Sequence, residues 1–201
     1  MNYLNEKLKN IITFIQELEL LKDTLRTAYT GKQRQESTAE HSFRLAMFAI
    51  ALEDEFPDCN IEKVLKLCLV HDLGEIYDGD IPAIVDVDKE IKLKIEREAI
   101  RKLESLLPPN RSTSLIALWE EYNASETKES KLVKALDKIE TIIQHNQGDN
   151  PADFDYAFNL EYGKEYCGFD DTIKALREIV DSDTLEKCTS NKCNITGRYN
   201  K

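Results

Sequence analysis

Apolar residues repeat at intervals of three and four along most of this 201-residue chain, and strict alternation with a period of two is almost absent. That spacing puts side chains on one face of an α-helix, where they can be buried together, and it argues against sheet. Seven glycines and five prolines are too few to divide the chain into many short strands and turns. The expected class is all-α.

Leu8, Ile11, Ile12, Ile15 and Leu18 define a first helix over residues 4–21. Ser37 and Thr38 can cap a second, over about 39–53, with Leu45, Phe48, Ala49 and Leu52 as its stripe. Asn60 can cap a third, carrying Val64, Leu65, Cys68 and Leu69; apolar nearly all round, it is expected at the buried centre. After a turn at Gly79 and Pro82, a charged helix over about 88–107 turns Ile91, Ile95, Ala99 and Leu103 inward and stops at Pro108 and Pro109. A short helix around Leu115, Leu118, Trp119 and Tyr122 follows, then a longer one over about 127–145, with further helical pieces at 153–166 and 170–180. Polar residues dominate after 181, so the organisation expected is one domain over 1–185 and a loose tail over 186–201.

Lys and Arg total 27 against 38 Asp and Glu, a net charge of −11. A surface that acidic repels phosphate polymers and excludes non-specific binding to nucleic acid, so an anionic ligand must be small and captured locally. No run reaches the ~18 apolar residues of a membrane helix, and the first ten residues lack the apolar stretch of a signal peptide, so a cytoplasmic location is expected. The five cysteines (Cys59, Cys68, Cys167, Cys188 and Cys193) follow no zinc-ribbon or thioredoxin spacing and are expected as reduced thiols. Cys188 and Cys193 have no second pair or nearby histidine to complete a metal site, and Asn194-Ile195-Thr196 is a glycosylation acceptor only in a secreted chain.

The sharpest anomaly is His71-Asp72, which emerges directly from Leu67-Cys68-Leu69-Val70 and runs on through Leu73-Gly74-Glu75-Ile76-Tyr77-Asp78-Gly79-Asp80. Burying such groups is costly unless they are paired or bound to metal. Imidazole nitrogen with carboxylate oxygen suits Zn, Mn, Fe, Co or Ni better than the all-oxygen preference of Mg or Ca. Further donors exist in His41, early in the second helix, and in Asp137, which falls about 40° from Val133 around its helix and can look inward. Each of these alone reads as a structural or solvated residue; His145, near a helix C-terminus, reads structurally.

Taken together, His41, His71-Asp72 and Asp137 resemble the H…HD…D signature of the HD-domain metal-dependent phosphohydrolases. Arg34-Gln35-Glu36-Ser37-Thr38-Ala39-Glu40-His41-Ser42 and the run from His71 to Asp80 are similar to the 5′-deoxynucleotidase branch, over about residues 21–144. The resemblance implies a helical bundle, often dimeric, and a divalent metal (Mn, Co, Zn, Fe, Ni or Mg) held by His41, His71, Asp72 and Asp137. It also implies that Glu75 assists water attack, that Asp80 contacts the sugar, and that Arg26, fifteen residues before His41, contacts the phosphate of a small nucleotide. The branch has an aromatic residue after that Arg where this chain has Thr27, so base or sugar selection is expected to differ.

The chemistry agrees with these roles. Two imidazoles and two carboxylates carry −2, which a dication balances. Glu75 follows His71 by four residues and would share its face on a continuing helix. Arg26 and Arg34 offer planar forks of donors to phosphoryl oxygens, with salt bridges to Glu36 or Glu40 as the plain alternative. Other readings retain the metal but change the substrate to a nucleoside triphosphate, a cyclic nucleotide or guanosine tetraphosphate, although no dense Lys/Arg cluster adjoins the motif in sequence. A regulatory module that binds without turnover is the alternative from another class.

Overall fold

The computed structural model describes residues 2–81, 88–109 and 113–190. Eight helices surround one small hairpin among them: α1 (Asn2–Glu17), β1 (Leu25–Tyr29), β2 (Gln35–Ser37), α2 (Thr38–Ala51), α3 (Ile61–Val70), α4 (Lys89–Ser105), α5 (Leu115–Ala124), α6 (Lys128–Gln147), α7 (Tyr156–Asn159) and α8 (Asp171–Ser190). The all-α class holds, because the hairpin is a short antiparallel pair. Residues 82–87, including the turn at Pro82, lie outside the described residues, as do Cys193 and the Asn194-Ile195-Thr196 acceptor.

Local capping starts the helices where the sequence suggests. The Ser37 side chain accepts from Glu40 N–H while the Glu40 carboxylate accepts from Ser37 N–H, a complete capping box for α2. Thr127 with Ser130 forms a second capping box at α6, and the Asn60 and Asp88 side chains accept from backbone N–H groups of the first turns of α3 and α4.

Packing departs from expectation in three places. The buried centre is α6, not α3: Leu132, Val133, Ala135, Leu136, Ile139 and Ile142 are all buried, whereas Leu69 on α3 is 54% exposed. A ten-residue helix at the edge of a bundle buries only the side facing its neighbours, here α2 and α6. On α4, Ala99, Ile100 and Leu103 pack inward, while Ile91 and Ile95 lie outside the core at 55% and 38% exposure; Leu93 makes the contact with the core in the first half of the helix. On α1, Leu8, Ile12 and Ile15 are exposed, and Phe14, with Leu18 in the 3-10 turn that follows, makes the contact with the core.

The segment after α6 also differs. In place of a helix over 153–166 there is the short α7 and a 3-10 turn over Lys164–Tyr166, joined through Gly163 in the left-handed region. Buried Arg177 on α8 donates to the carbonyls of Asn159, Leu160 and Tyr162, which satisfies groups a longer helix would have paired internally. The helix α8 passes residue 186, where the sequence suggests a tail begins. Its polar Thr184 is buried in hydrogen bonds with Asn146, and Cys188 is buried one turn on. Cys59, Cys68 and Cys167 are free thiols.

The α3 helix ends at Val70, and Glu75 is placed by a tight 3-10 turn over Leu73–Glu75, not by a continuing helix. Gly74 makes that turn possible: a Cβ there would sit 2.6 Å from Glu96 Cβ and 3.1 Å from Glu96 Cα on α4. We predict that Gly74→Ala destabilises the fold by roughly 1–3 kcal/mol, lowering the thermal midpoint by several degrees. An unchanged midpoint would show that α4 yields freely at this contact.

Candidate metal centre

Helices α2, α3 and α6 cross so that His41, His71 and Asp137 face one another, their donor atoms all within 4.8 Å. His41 Nε2 lies 3.2 Å from Asp137 Oδ1, and His71 Nε2 lies 3.9 Å from the same oxygen. Asp72, at the turn after α3, joins the group through Oδ2, at 3.0 Å from His71 Nε2 and 3.8 Å from His41 Nε2. Two ligands on one ion at ~2.1 Å stand roughly 3–4.2 Å apart according to the angle between them, so these separations match donors that share a cation.

The imidazoles are set for ligation by what holds their other nitrogens. Glu140 Oε2 is 2.5 Å from His41 Nδ1, and the Cys68 carbonyl is 2.9 Å from His71 Nδ1. Both acceptors favour the Nδ1–H tautomer and leave the Nε2 lone pairs facing the cluster. Neither Nε2 has a hydrogen-bond partner, although both are buried. An unpaired buried nitrogen is costly, and a cation between the two removes that cost. The residues therefore fit a divalent metal.

Second contacts fix the carboxylates. Asp137 Oδ2 accepts from the Tyr122 hydroxyl and lies 2.8 Å from Lys138 Nζ, which leaves Oδ1 toward the imidazoles. Burial works against ionisation of Asp137, but Lys138 and the imidazoles hold its carboxyl well below the usual range. Arg26, on β1, donates to Asp72 Oδ2 at 3.2 Å and to the Thr141 hydroxyl at 3.0 Å. Its Nε lies 3.4 Å from Glu36 Oε2 on β2. The hairpin thus delivers Arg26 to the cluster; three- and five-residue strands are too short to leave a legible period in the sequence.

Glu75 is buried, with Oε2 unpartnered and Oε1 3.8 Å from Lys92 Nζ on α4. Burial, and then the charges of Asp72 and Asp80, push its carboxyl well above the ordinary range. Burial pushes the Asp80 carboxyl above its ordinary range, against the opposing charge of Arg26. Arg34 stands apart: its guanidinium forms two hydrogen bonds with Glu40, at 2.9 and 2.7 Å, and half its side chain is exposed. His145 is structural, with Nδ1 2.9 Å from Asn159 Oδ1 and its ring against Phe154.

Sequence reading did not find Glu140, Tyr122, Lys138, Lys92 or Lys134. Glu140 lies three residues after Asp137 on the inward face of α6, a spacing that could have marked it; Tyr122 and Lys92 come from α5 and α4 with no local signal. The fold also collects cations that are scattered in the chain, placing Arg26, Lys92 and Lys138 against the carboxylates of the centre. We predict that Glu140→Gln, which keeps an acceptor for His41 Nδ1 but loses its charge, weakens metal binding by about tenfold, and Glu140→Leu by nearer 100-fold. Metal titration of the dialysed variants measures this, and wild-type affinity in Glu140→Leu would remove the anchoring role.

A family model described as HD domain matches residues 18–177. The chain is 36% identical over 141 residues to the 5′-deoxynucleotidase HDDC2 of Bos taurus, covering 69% of this chain and 68% of that protein. It is 37% identical over 141 residues to the 5′-deoxynucleotidase hdd1 of Schizosaccharomyces pombe, covering 67% and 70%. A solved structure from Magnetospirillum magnetotacticum, described as a predicted metal-dependent phosphohydrolase, has a TM-score of 0.69 and 27% identity over 94% of this chain and 95% of that one. The match spans the hairpin, the crossing of α2, α3 and α6, and the first turns of α8, and on that extent the chain belongs to the HD domain family.

Proposed function

We propose that this chain is a phosphohydrolase that removes the 5′-phosphate from nucleoside monophosphates, deoxy forms preferred, using one divalent metal held by His41, His71, Asp72 and Asp137. The observation that carries the reading is the pair of buried, unpartnered Nε2 atoms converging on the Asp137 carboxylate. The 5′-deoxynucleotidase names of the relatives support the substrate class. A bound dication of the set Mn, Co, Zn, Fe, Ni or Mg supplies an activated water and positive charge against a phosphoryl oxygen.

The chain's own groups supply the rest. Glu75 accepts the proton of the attacking water, a task suited to a carboxyl whose affinity for protons is raised by burial. Arg26, whose guanidinium meets Asp72, Thr141 and Glu36, contacts the phosphate in this reading, whereas Arg34 is committed to Glu40. Asp80 contacts the sugar, and a pocket there without a partner for a 2′-hydroxyl would favour deoxy substrates.

The test is phosphate release from a panel of deoxy- and ribonucleoside monophosphates after chelation and reloading with each metal. Release from none of them would remove the proposal. Pyrophosphate or triphosphate as the product would move the substrate to a polyphosphate, and tight nucleotide binding without release would indicate a regulatory module.

We also propose that the chain forms one domain and acts in the cytoplasm as a homodimer. Supporting this, no helix among the described residues is long and apolar enough to cross a membrane, and Cys59, Cys68 and Cys167 are free thiols. The apolar stripe of Leu4, Leu8, Ile12 and Ile15 on α1 is exposed, an arrangement suited to a second copy. Sedimentation of the intact chain as a monomer would remove the dimer.

A further inference from the structure

The cations around the centre differ in one respect. Arg26 is paired with Asp72 and Glu36, Lys138 with Asp137, and Lys92 with Glu96 at 3.4 Å and Glu75 at 3.8 Å. Lys134 forms no ion pair with any described residue; its ammonium lies 3.7 Å from the centre of the Tyr122 ring and 5.9 Å from that of Tyr166.

The position of Lys134 is not incidental to the site. It stands one helical turn before Asp137 on α6, and the ring that carries it donates its hydroxyl to Asp137 and meets the His71 imidazole edge-on at 5.1 Å. A lysine on the surface would find water or a carboxylate. This one is partly buried on an aromatic face, with Lys138 a turn away, and burial together with that like charge pulls its pKa down to about 8. An ammonium kept in such a place without a counter-ion destabilises the empty protein, and an arriving anion relieves it.

We propose that Lys134 binds the phosphoryl oxygens of the substrate and of the inorganic phosphate product, as the one cation among the described residues beside the metal centre not already committed to a carboxylate. The inference rests on the phosphohydrolase reading for its substrate, and deepens it by assigning the phosphate a contact on α6 opposite the Arg26 contact on β1. Tyr122 acts as the seat: a cation over a ring keeps its charge available to an incoming anion, whereas a carboxylate partner would compete with it.

Lys134→Met and Lys134→Arg in the metal-loaded chain test this, with inorganic phosphate as the probe in titration calorimetry. Met preserves the length and apolar stem and removes the charge. A charge-assisted hydrogen bond supports an expected loss in phosphate affinity on the order of 10–100-fold in Lys134→Met, with partial recovery in Lys134→Arg. The KM for the best nucleotide of the panel rises in parallel while affinity for the free nucleoside is unchanged. The thermal midpoint of Lys134→Met stays level or rises, and the visible spectrum of the Co²⁺-loaded variant matches wild type.

Unchanged phosphate affinity in Lys134→Met would overturn the proposal. So would a lowered thermal midpoint with an altered Co²⁺ spectrum, since that combination marks a structural lysine. Direct phosphate binding does not depend on turnover, so a wild-type chain that hydrolyses no nucleotide but loses phosphate affinity on Lys134→Met would sink the substrate reading and leave this contact standing.

Discussion

Asp137→Ala is expected to yield a protein that retains no divalent metal after dialysis and releases no phosphate from nucleotides above background. Asp137 supplies the carboxylate whose donor atom lies within 4.8 Å of both imidazole donors, so its loss removes a ligand and one of the negative charges that balance a dication. It also leaves Lys138, 2.8 Å from the missing oxygen, as an uncompensated cation beside the centre. Breaking a buried pair in this way costs about 3–5 kcal/mol, so Asp137→Asn is the companion variant, since it keeps the volume and an acceptor for the Tyr122 hydroxyl. Both should lose metal; stoichiometric metal in either one would remove Asp137 from the ligand set.

Metal loading in the wild type should also depend on pH. In the metal-free centre, burial and Arg26 work against a charge on His41, but the neighbouring carboxylates of Asp137 and Glu140 outweigh them and raise its pKa to about 9. A proton must then leave before His41 can ligate, so apparent affinity is expected to rise by about tenfold per pH unit between pH 7 and 9. The stability of the metal-free form has the opposite sign. The raised His41 pKa stabilises that form fully below the unfolded value of about 6.5, and the contribution is lost as pH rises toward 9.

Glu75→Gln is expected to lower kcat by about 10²–10⁴-fold while leaving metal content unchanged. Glutamine fills the same buried space beside Lys92 but cannot take a proton from water. Burial and the charges of Asp72 and Asp80 raise the Glu75 pKa, and the group must be ionised to act as a base. Activity should therefore climb with pH through an acid limb above the ordinary carboxylate range, and Glu75→Gln should abolish that limb. A variant with wild-type kcat would show that the proton goes elsewhere.

The two substitutions probe different levels of legibility. His41, His71, Asp72 and Asp137 could be read from the chain because their order and company form a recognisable pattern. The helices that carry them start at caps local to the backbone, such as Ser37 with Glu40, Asn60 and Thr127. Glu75 was legible as a residue, but the reason for its position was not. A helix was expected to continue through it, whereas a 3-10 turn, closed by the contact of Gly74 with Glu96, places it. Arg34 shows the converse, for its side chain meets the centre's needs in chemistry and is held elsewhere by Glu40.

What the sequence determined by itself, then, was whatever depends on neighbours within about four residues, namely the helical class, the caps and the inward face of α6, together with a set of candidate donors marked by their order along the chain. The tertiary structure alone decided that α6 is the centre, that α1 keeps an apolar face outside, and that Glu140, Tyr122, Lys138, Lys92 and Lys134 surround the donors. Side chains from α4, α5 and α6 meet only after the helices pack, and packing follows the summed burial of many residues, a quantity no short window of sequence contains.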